Sequence, residues 1–361
     1  MNGAKRLFKT LTRFAVVGLV LATAILSWAE DGSRDTLSRT AQDAGAVPSY
    51  HLGAVNLGRA DAHADNVPGA LFAQAGGSSG ATGGDSGQAN SVPQQGNLSE
   101  IGHKLTNPVS NVWALFTEFD LFFSDGDVNR GDSKVGGRML VEPVLPIPLY
   151  GPGQNTWKFI VRPTIPVIFS QPVPNGLDHF NNLGGLGDST VVTMVSPPAG
   201  SWILGLGPTW LFPTATHDAL GRQQWGVGPA AAVGYATKEW TAFVFPQQYW
   251  GIGGWNKKDT PNASFLNLIY SFIYNLPDGW QVGTNPTITY DNKASSGNKW
   301  NVPVGLTVSK MTKIGDVPTK FQLAMEYSVV GQDAFGQVAQ IKLNIIPVIK
   351  SLIRDPIFGG M

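Results

Sequence analysis

Residues 113–123 read WALFTEFDLFF, and residues 336–349, near the other end of the chain, read GQVAQIKLNIIPVI. In the first, Trp113, Leu115, Phe119, Leu121 and Phe123 share one parity with Thr117, while Glu118 and Asp120 take the other. In the second, Ala339, Ile341, Leu343 and Ile345 oppose Gln340, Lys342 and Asn344. Residues 319–330 repeat the pattern, with Phe321, Leu323, Met325, Tyr327 and Val329 against Gln322, Glu326 and Ser328. A period of two is the signature of a strand with one apolar and one polar face. A soluble β-sandwich also alternates in this way, so the period does not by itself choose the fold.

Working outward, apolar runs bounded by turn residues predict strands at about 113–123, 134–146, 157–169, 186–196, 201–212, 224–235, 239–250, 263–275, 279–290, 299–310, 319–330 and 336–349. The count is even, and the strands are longer than the roughly 5–6 residues usual in globular sheets. The uncharged stretch 189–216 is broken by Pro197-Pro198, Gly200, Gly205, Gly207-Pro208 and Pro213, so it reads as two strands and a turn. Connections alternate between tight turns, such as 196–200, 237–238 and 276–279, and longer hydrophilic loops, such as 170–185 and 252–262. Trp113, Trp157, Trp202, Trp240 and Trp280 open alternate strands and belong at one rim. Trp225 and Trp300, with Trp210 and Trp250 near them, belong at the other. Alternate loop lengths and a double aromatic girdle are properties of outer-membrane barrels. The fold predicted is an all-β, up-and-down antiparallel transmembrane β-barrel of about twelve strands over 105–349, with both termini on the periplasmic side.

Composition agrees and excludes other classes. Charged residues make 14% of the chain, Gly (44) and Pro (25) are abundant, and 25 basic residues balance 25 acidic ones. No net field favours nucleic acid. Cys is absent, which removes thiol, zinc-finger and iron–sulfur chemistry. Lys5, Arg6, Lys9 and Arg13, then the uncharged run 14–29 ending Ser27-Trp28-Ala29, predict a Sec-type signal peptide over 1–29, the alternative being a retained anchor too short to span. Residues 30–104 carry no sustained period, and their Gly/Ser/Ala/Gln-rich centre at 73–96 predicts a disordered, protease-sensitive segment outside the wall. A tail follows at 350–361.

The segments TNP at 106–108, VEPVLP at 141–146, RPTIPV at 162–167, GGLGD at 184–188, PTAT at 213–216, WGVGP at 225–229 and YNLPDGW at 274–280 carry a resemblance. Together they resemble a family of Gram-negative outer-membrane proteins labelled transporters of the meta-pathway of phenol degradation, often mislabelled neuromedin U. The resemblance covers about 104–349. It implies an outer-membrane barrel with a transport role but no assigned substrate; the partners expected are outer-membrane lipid, the barrel-assembly machinery and small solutes, hydrophobic or aromatic ones among them. It brings no assigned catalytic residues. The chain departs from the pattern in its long Gly/Ser-rich segment and in ending Ile357-Phe358-Gly359-Gly360-Met361, where such barrels commonly end on an aromatic residue closing the last strand.

Chemistry-bearing motifs are few. The five His residues have no metal-pair spacing, His217-Asp218 with Ser189 lacks a nucleophile elbow, and Asp125, Asp127, Asn129 and Asp132 read as a solvated turn more readily than a Ca²⁺ loop. No metal, cofactor or enzyme activity is expected. The inward parity is more informative. It collects Glu118, Asp120, Arg138, Glu142, Arg162, Glu326 and Lys342 near mid-strand on neighbouring strands. Facing lipid there, an Arg or Lys would cost about 2–4 kcal/mol, so these residues are assigned to the lumen. They either brace the wall as an ion network or form a constriction that selects solutes. A structural barrel with a closed lumen is the alternative to a channel. Pro143, Pro146, Pro163 and Pro166 lie in the second and third strands, where a missing donor predicts a kink, bulge or weakened ladder. That seam either curves the wall or lets an apolar solute leave sideways.

Overall fold

The computed structural model describes residues 98–130, 132–151, 156–254, 262–353 and 355–358. The signal peptide expected at 1–29, and most of the segment expected to be disordered, lie outside the described residues.

Fourteen strand segments make the wall: β1 (Ala114–Asp125), β2 (Lys134–Tyr150), β3 (Trp157–Pro174), β4 (Phe180–Leu186), β5 (Ser189–Ser196), β6 (Trp202–Phe212), β7 (Gln224–Ala236), β8 (Trp240–Gly254), β9 (Ser264–Asn275), β10 (Trp280–Thr284), β11 (Thr287–Asp291), β12 (Trp300–Ile314), β13 (Val317–Val330) and β14 (Gly336–Pro347). β4 and β5 form one passage interrupted at Gly187-Asp188, and β10 and β11 form another interrupted at Asn285-Pro286. Each passage pairs antiparallel with the next, and β14 returns to β1 through Thr117↔Ile345 to Asp125↔Gly336. The result is a closed twelve-stranded antiparallel barrel. Closure gives interior backbone groups a partner without leaving an edge.

Side chains sort by parity as the sequence reading expects. Leu121, Leu206, Val244, Leu306, Met325 and Leu343 are exposed on the outer face. Aromatic residues gather at its two rims. At the end where β1 begins and β14 ends, Trp202 packs edge-on against Tyr235 (5.1 Å), Tyr235 meets Trp240 (5.9 Å), and Trp240 stacks on Phe272 (6.1 Å). At the far end Trp225 packs against Phe212 and Trp300 against Tyr290.

Trp113 corrects the rim assignment. It is 7% exposed, and its Nε1 donates to the Pro146 carbonyl (2.8 Å). β1 reaches only as far as Ala114↔Val144, so β2 overhangs it from 145 to 150 and presents an edge. Trp113 covers part of that edge. The tail covers more, through Ile357 N to the Pro148 carbonyl (3.1 Å) and Phe358 N to the Leu149 carbonyl (2.9 Å).

The strands carry two further differences and the weakened ladder that the prolines predict. The loop expected at 170–185 is largely a hairpin, because β3 runs to Pro174 and β4 starts at Phe180. The β2–β3 ladder lapses between Val141↔Ile165 and Leu145↔Val161, and within that frame Pro143 lies opposite Pro163. A wider lapse separates Gly283↔Thr307 from Thr289↔Asn301 between the β10/β11 passage and β12, beside Pro286 and Pro303.

The last difference is a helix, α1 (Leu98–Thr106), where the sequence reading ran the disordered segment on to 104. Glu100 and Lys104 pair at i,i+4 (2.8 Å). Ile101 and Leu105 occupy one face and pack with Ala114, Met311 and Ile346. Asn107-Pro108 ends the helix, and the Asn107 side chain accepts from Val109 N (2.9 Å).

Candidate functional site

Residues 98–112 span the bore at the end that holds β1's start. α1 packs on β9, β12 and β13. Val109, 3% exposed, reaches the opposite wall and joins Ile160, Met194, Ile203 and Ala232 in an apolar cluster. Burying a valine this fully is worth about 1.5–3 kcal/mol. Two lysines add polar fastenings. Lys320 Nζ donates to Thr106 Oγ1 (3.1 Å), and Lys158 Nζ donates to the Val109 carbonyl. Gln281 Nε2 also donates to Thr106 Oγ1 (3.2 Å), which in turn donates to the Gly102 carbonyl (3.1 Å). Segment 98–112 therefore forms a plug held on each wall by an apolar patch and hydrogen bonds.

Above the plug the inward charges form a layer. Arg138 Nε lies 2.7 Å from Asp120 Oδ2, and Arg162 Nη2 lies 2.5 Å from Glu142 Oε2, with Thr164 Oγ1 donating to the other Glu142 oxygen (3.0 Å). Lys342 Nζ lies 2.9 Å from Glu326 Oε1, and Asn344 Nδ2 donates to Glu118 Oε2 (2.7 Å). The structure thus brings Glu118, Asp120, Arg138, Glu142, Arg162, Glu326 and Lys342 together on one sector of the inner wall. The register explains how: Asp120↔Arg138 and Asp120↔Lys342 are direct cross-strand neighbours. Arginine is suited to this place because its planar guanidinium packs on rings while pairing at its edge. Arg162 lies between Phe116 and Phe245 (5.8 and 5.9 Å to the ring centres), and Arg138 lies over Phe122 (5.5 Å).

Sequence reasoning missed a second charged group. Arg222, in the connection between β6 and β7, turns into the bore and pairs with Asp291 (2.8 Å) while lying over Phe265 (4.3 Å), which itself stacks on Tyr249 (4.7 Å). Asp188 holds this connection inward by accepting from Ala215 N (3.1 Å), Arg222 N and Gln223 N (3.2 Å). Asp188 stands in the break between β4 and β5, and that break is the local sequence signal.

The charged layer divides the interior. Toward the far end lies a cavity of about 420 Å³ whose wall mixes Arg138, Arg222, Asp291 and Gln247 with Phe122, Phe265 and Ile269. Toward the plug lies a chamber of about 90 Å³. Glu118, Glu142 and Arg162 border both.

The other candidates stay apart from this site. His217 is exposed, and Ser189 Oγ lies 2.8 Å from Thr214 Oγ1. Asp125 folds its own turn by accepting from Gly126 N (2.8 Å), Asn129 Nδ2 (3.0 Å) and Ser133 Oγ (3.2 Å). Among the described residues no His/Cys/Asp/Glu group is arranged to hold a metal ion.

No family model matches the chain, and no curated protein is similar to it. Among solved structures it is similar to an outer-membrane channel from Pseudomonas putida F1, at 11% identity over 66% of this chain and 96% of that one, with a TM-score of 0.52. A bacterial polysaccharide outer-membrane secretin (9% identity, 66% and 99% covered, TM-score 0.25) and a BenF-like porin from Pseudomonas fluorescens Pf-5 (8%, 66% and 98%, TM-score 0.23) superpose too poorly to carry an argument. The likeness to the Pseudomonas putida channel is one of fold.

Proposed function

We propose that this chain is a passive channel for small solutes in a Gram-negative outer membrane, with both termini in the periplasm. The observation that carries the reading is a closed wall, apolar and aromatic-rimmed outside, whose interior holds two chambers joined at a charged layer. A surface of that kind is stable in lipid and costly in water. The transport role implied by the sequence resemblance, and the channel named for the Pseudomonas putida structure, point the same way. Sec export of 1–29 and insertion by the barrel-assembly machinery belong to this reading, as does a periplasmic position for residues 30–97.

In this scheme Glu118, Asp120, Arg138, Glu142, Arg162, Glu326 and Lys342 form the constriction, and their pairing leaves little net charge to repel a neutral solute. Phe122, Phe265 and Ile269 in the larger cavity suit a partly apolar or aromatic solute. The lapse at Pro143 and Pro163 gives such a solute a lateral exit into lipid, the alternative being barrel curvature alone. Discrete single-channel currents from refolded protein in planar bilayers, together with liposome swelling in sugars, amino acids and aromatic acids, test the reading. Silent bilayers and no swelling would overturn it. The plug across the near end favours a second reading, a structural barrel with a closed lumen, and the same recordings separate the two.

A further inference from the structure

The chamber between the charged layer and the plug is lined by a cation without a counter-charge. Arg138, Arg162, Arg222 and Lys342 each have a carboxylate within 2.9 Å. Lys320 is 3% exposed, lines the chamber, and among the described residues has no carboxylate within ion-pair distance. It donates to Thr106 Oγ1, a neutral hydroxyl. An ammonium has three donors, so two remain for the chamber. A buried charge without a counter-charge is costly, and proteins ordinarily pair it.

A second observation points the same way. Ser271, 5% exposed, lines the same chamber, and its Oγ has no hydrogen-bond partner among the described residues. The Asn285 side chain also opens into the chamber, its unpartnered Oδ1 offering an acceptor rather than a donor. Buried hydroxyls normally have partners, and an orphan hydroxyl in the same chamber as an ammonium with two free donors has the character of an anion site. Phe243, Ile269 and Ile273 supply an apolar side to the same space. At about 30 Å³ per water, 90 Å³ holds roughly three waters, room for a carboxylate on a short carbon chain.

We infer that this chamber binds the carboxylate of a small organic acid, with Lys320 as the cation, the Ser271 hydroxyl as a further donor, and the apolar wall against the carbon chain. The inference rests on the channel reading and deepens it by naming a solute class. Carboxylates come as plain acids or as amino acids. Glu118, which also lines the chamber and accepts from Asn344 Nδ2 (2.7 Å), gives an amino group a place to go.

The test is calorimetric titration of the refolded full-length protein with propionate, alanine and 1-propanol, alongside liposome swelling in the same solutes. Propionate and alanine are expected to bind and 1-propanol not to. Tighter binding of alanine assigns its ammonium to Glu118, and equal binding assigns the site to Lys320 alone. Lys320→Gln, which keeps a donor for Thr106 but loses the charge, is expected to weaken propionate at least about tenfold. Thr106→Val, which loosens the plug but keeps the charge, is expected to retain it. Propionate affinity changed less than twofold by Lys320→Gln, lost equally in Thr106→Val, or matched by chloride would overturn the assignment. Binding without swelling overturns the channel reading and leaves the site standing, whereas swelling indifferent to Lys320 does the reverse.

Discussion

Asp120 shows what a single residue contributes to the wall. Its carboxylate is fully buried, held by Arg138, and one of its oxygens has no other partner among the described residues. Arg138→Met strands that charge beside Glu118. We expect a loss of about 1–3 kcal/mol in urea unfolding followed by heat-modifiable gel mobility. Arg138→Met/Asp120→Asn should recover most of it. A single variant as stable as the parent would mean that lumen water solvates Asp120 freely. At Arg162 the expected effect is on size: Arg162→Ala, by removing a guanidinium held between two rings, should raise single-channel conductance measurably if the layer is the constriction. Parity made these residues legible, since a period of two is local and needs no knowledge of the partner strand. Arg222 was not legible. Its place depends on the 213–223 connection folding inward onto Asp188, and irregular backbone has no period to read.

His103 belongs to the residue scale but acts on an element. Burial holds its imidazole below the ordinary histidine value, opposed by a hydrogen bond to the Thr237 backbone and the nearby Glu100 carboxylate and reinforced by Lys104 and Lys320. A group whose folded value is depressed takes up its proton more readily when α1 is undocked, so acid favours undocking. The docked state should therefore keep its full stability above about pH 6.5, the free-imidazole value, and lose it as pH falls below. Proteolysis at Lys104, measured from pH 8 to pH 5, should accelerate in acid, and His103→Gln should flatten the dependence.

At the scale of elements, strand positions could be read because each strand is a run of alternating residues closed off by Gly, Pro or Asn. α1 could not. Nine residues with Leu98, Ile101 and Leu105 on the packed face give too short an apolar stripe to stand out from a polar neighbourhood, and the helix exists because the bore accepts it. The prolines mark the opposite situation, a local signal with a non-local outcome. Their spacing announces missing donors in β2 and β3, but only the register sets Pro143 against Pro163. Pro143→Val/Pro163→Val should restore the ladder, seen as slowed amide exchange at 142–144 and 162–164. If apolar solutes leave through this seam, their entry into vesicles should fall with it. Unchanged entry with slowed exchange assigns the lapse to curvature. The wider lapse beside Pro286 and Pro303 went unanticipated because its two sides come from passages separated by a loop, and neither proline lies in a dense run.

For the whole molecule the question is whether the plug moves. A barrel wall is over-determined by closure, since every strand is held on both sides, whereas residues 98–112 are fastened by one apolar patch on each wall and a few hydrogen bonds. Opening would therefore start at the plug and leave the barrel standing. The absence of native Cys makes this directly testable. A Cβ added at Gly102 would stand 3.4 Å from Met311 Cβ, close to the roughly 3.5–4.5 Å that a disulfide requires, so Gly102→Cys/Met311→Cys should oxidise without displacing either element. If conduction needs the plug withdrawn, the oxidised protein should be silent in planar bilayers and regain current on reduction, with each single variant conducting throughout. Equal currents before and after reduction, with the disulfide verified by mass, would show that solutes pass beside a stationary plug. The 90 Å³ chamber would then be part of an open path.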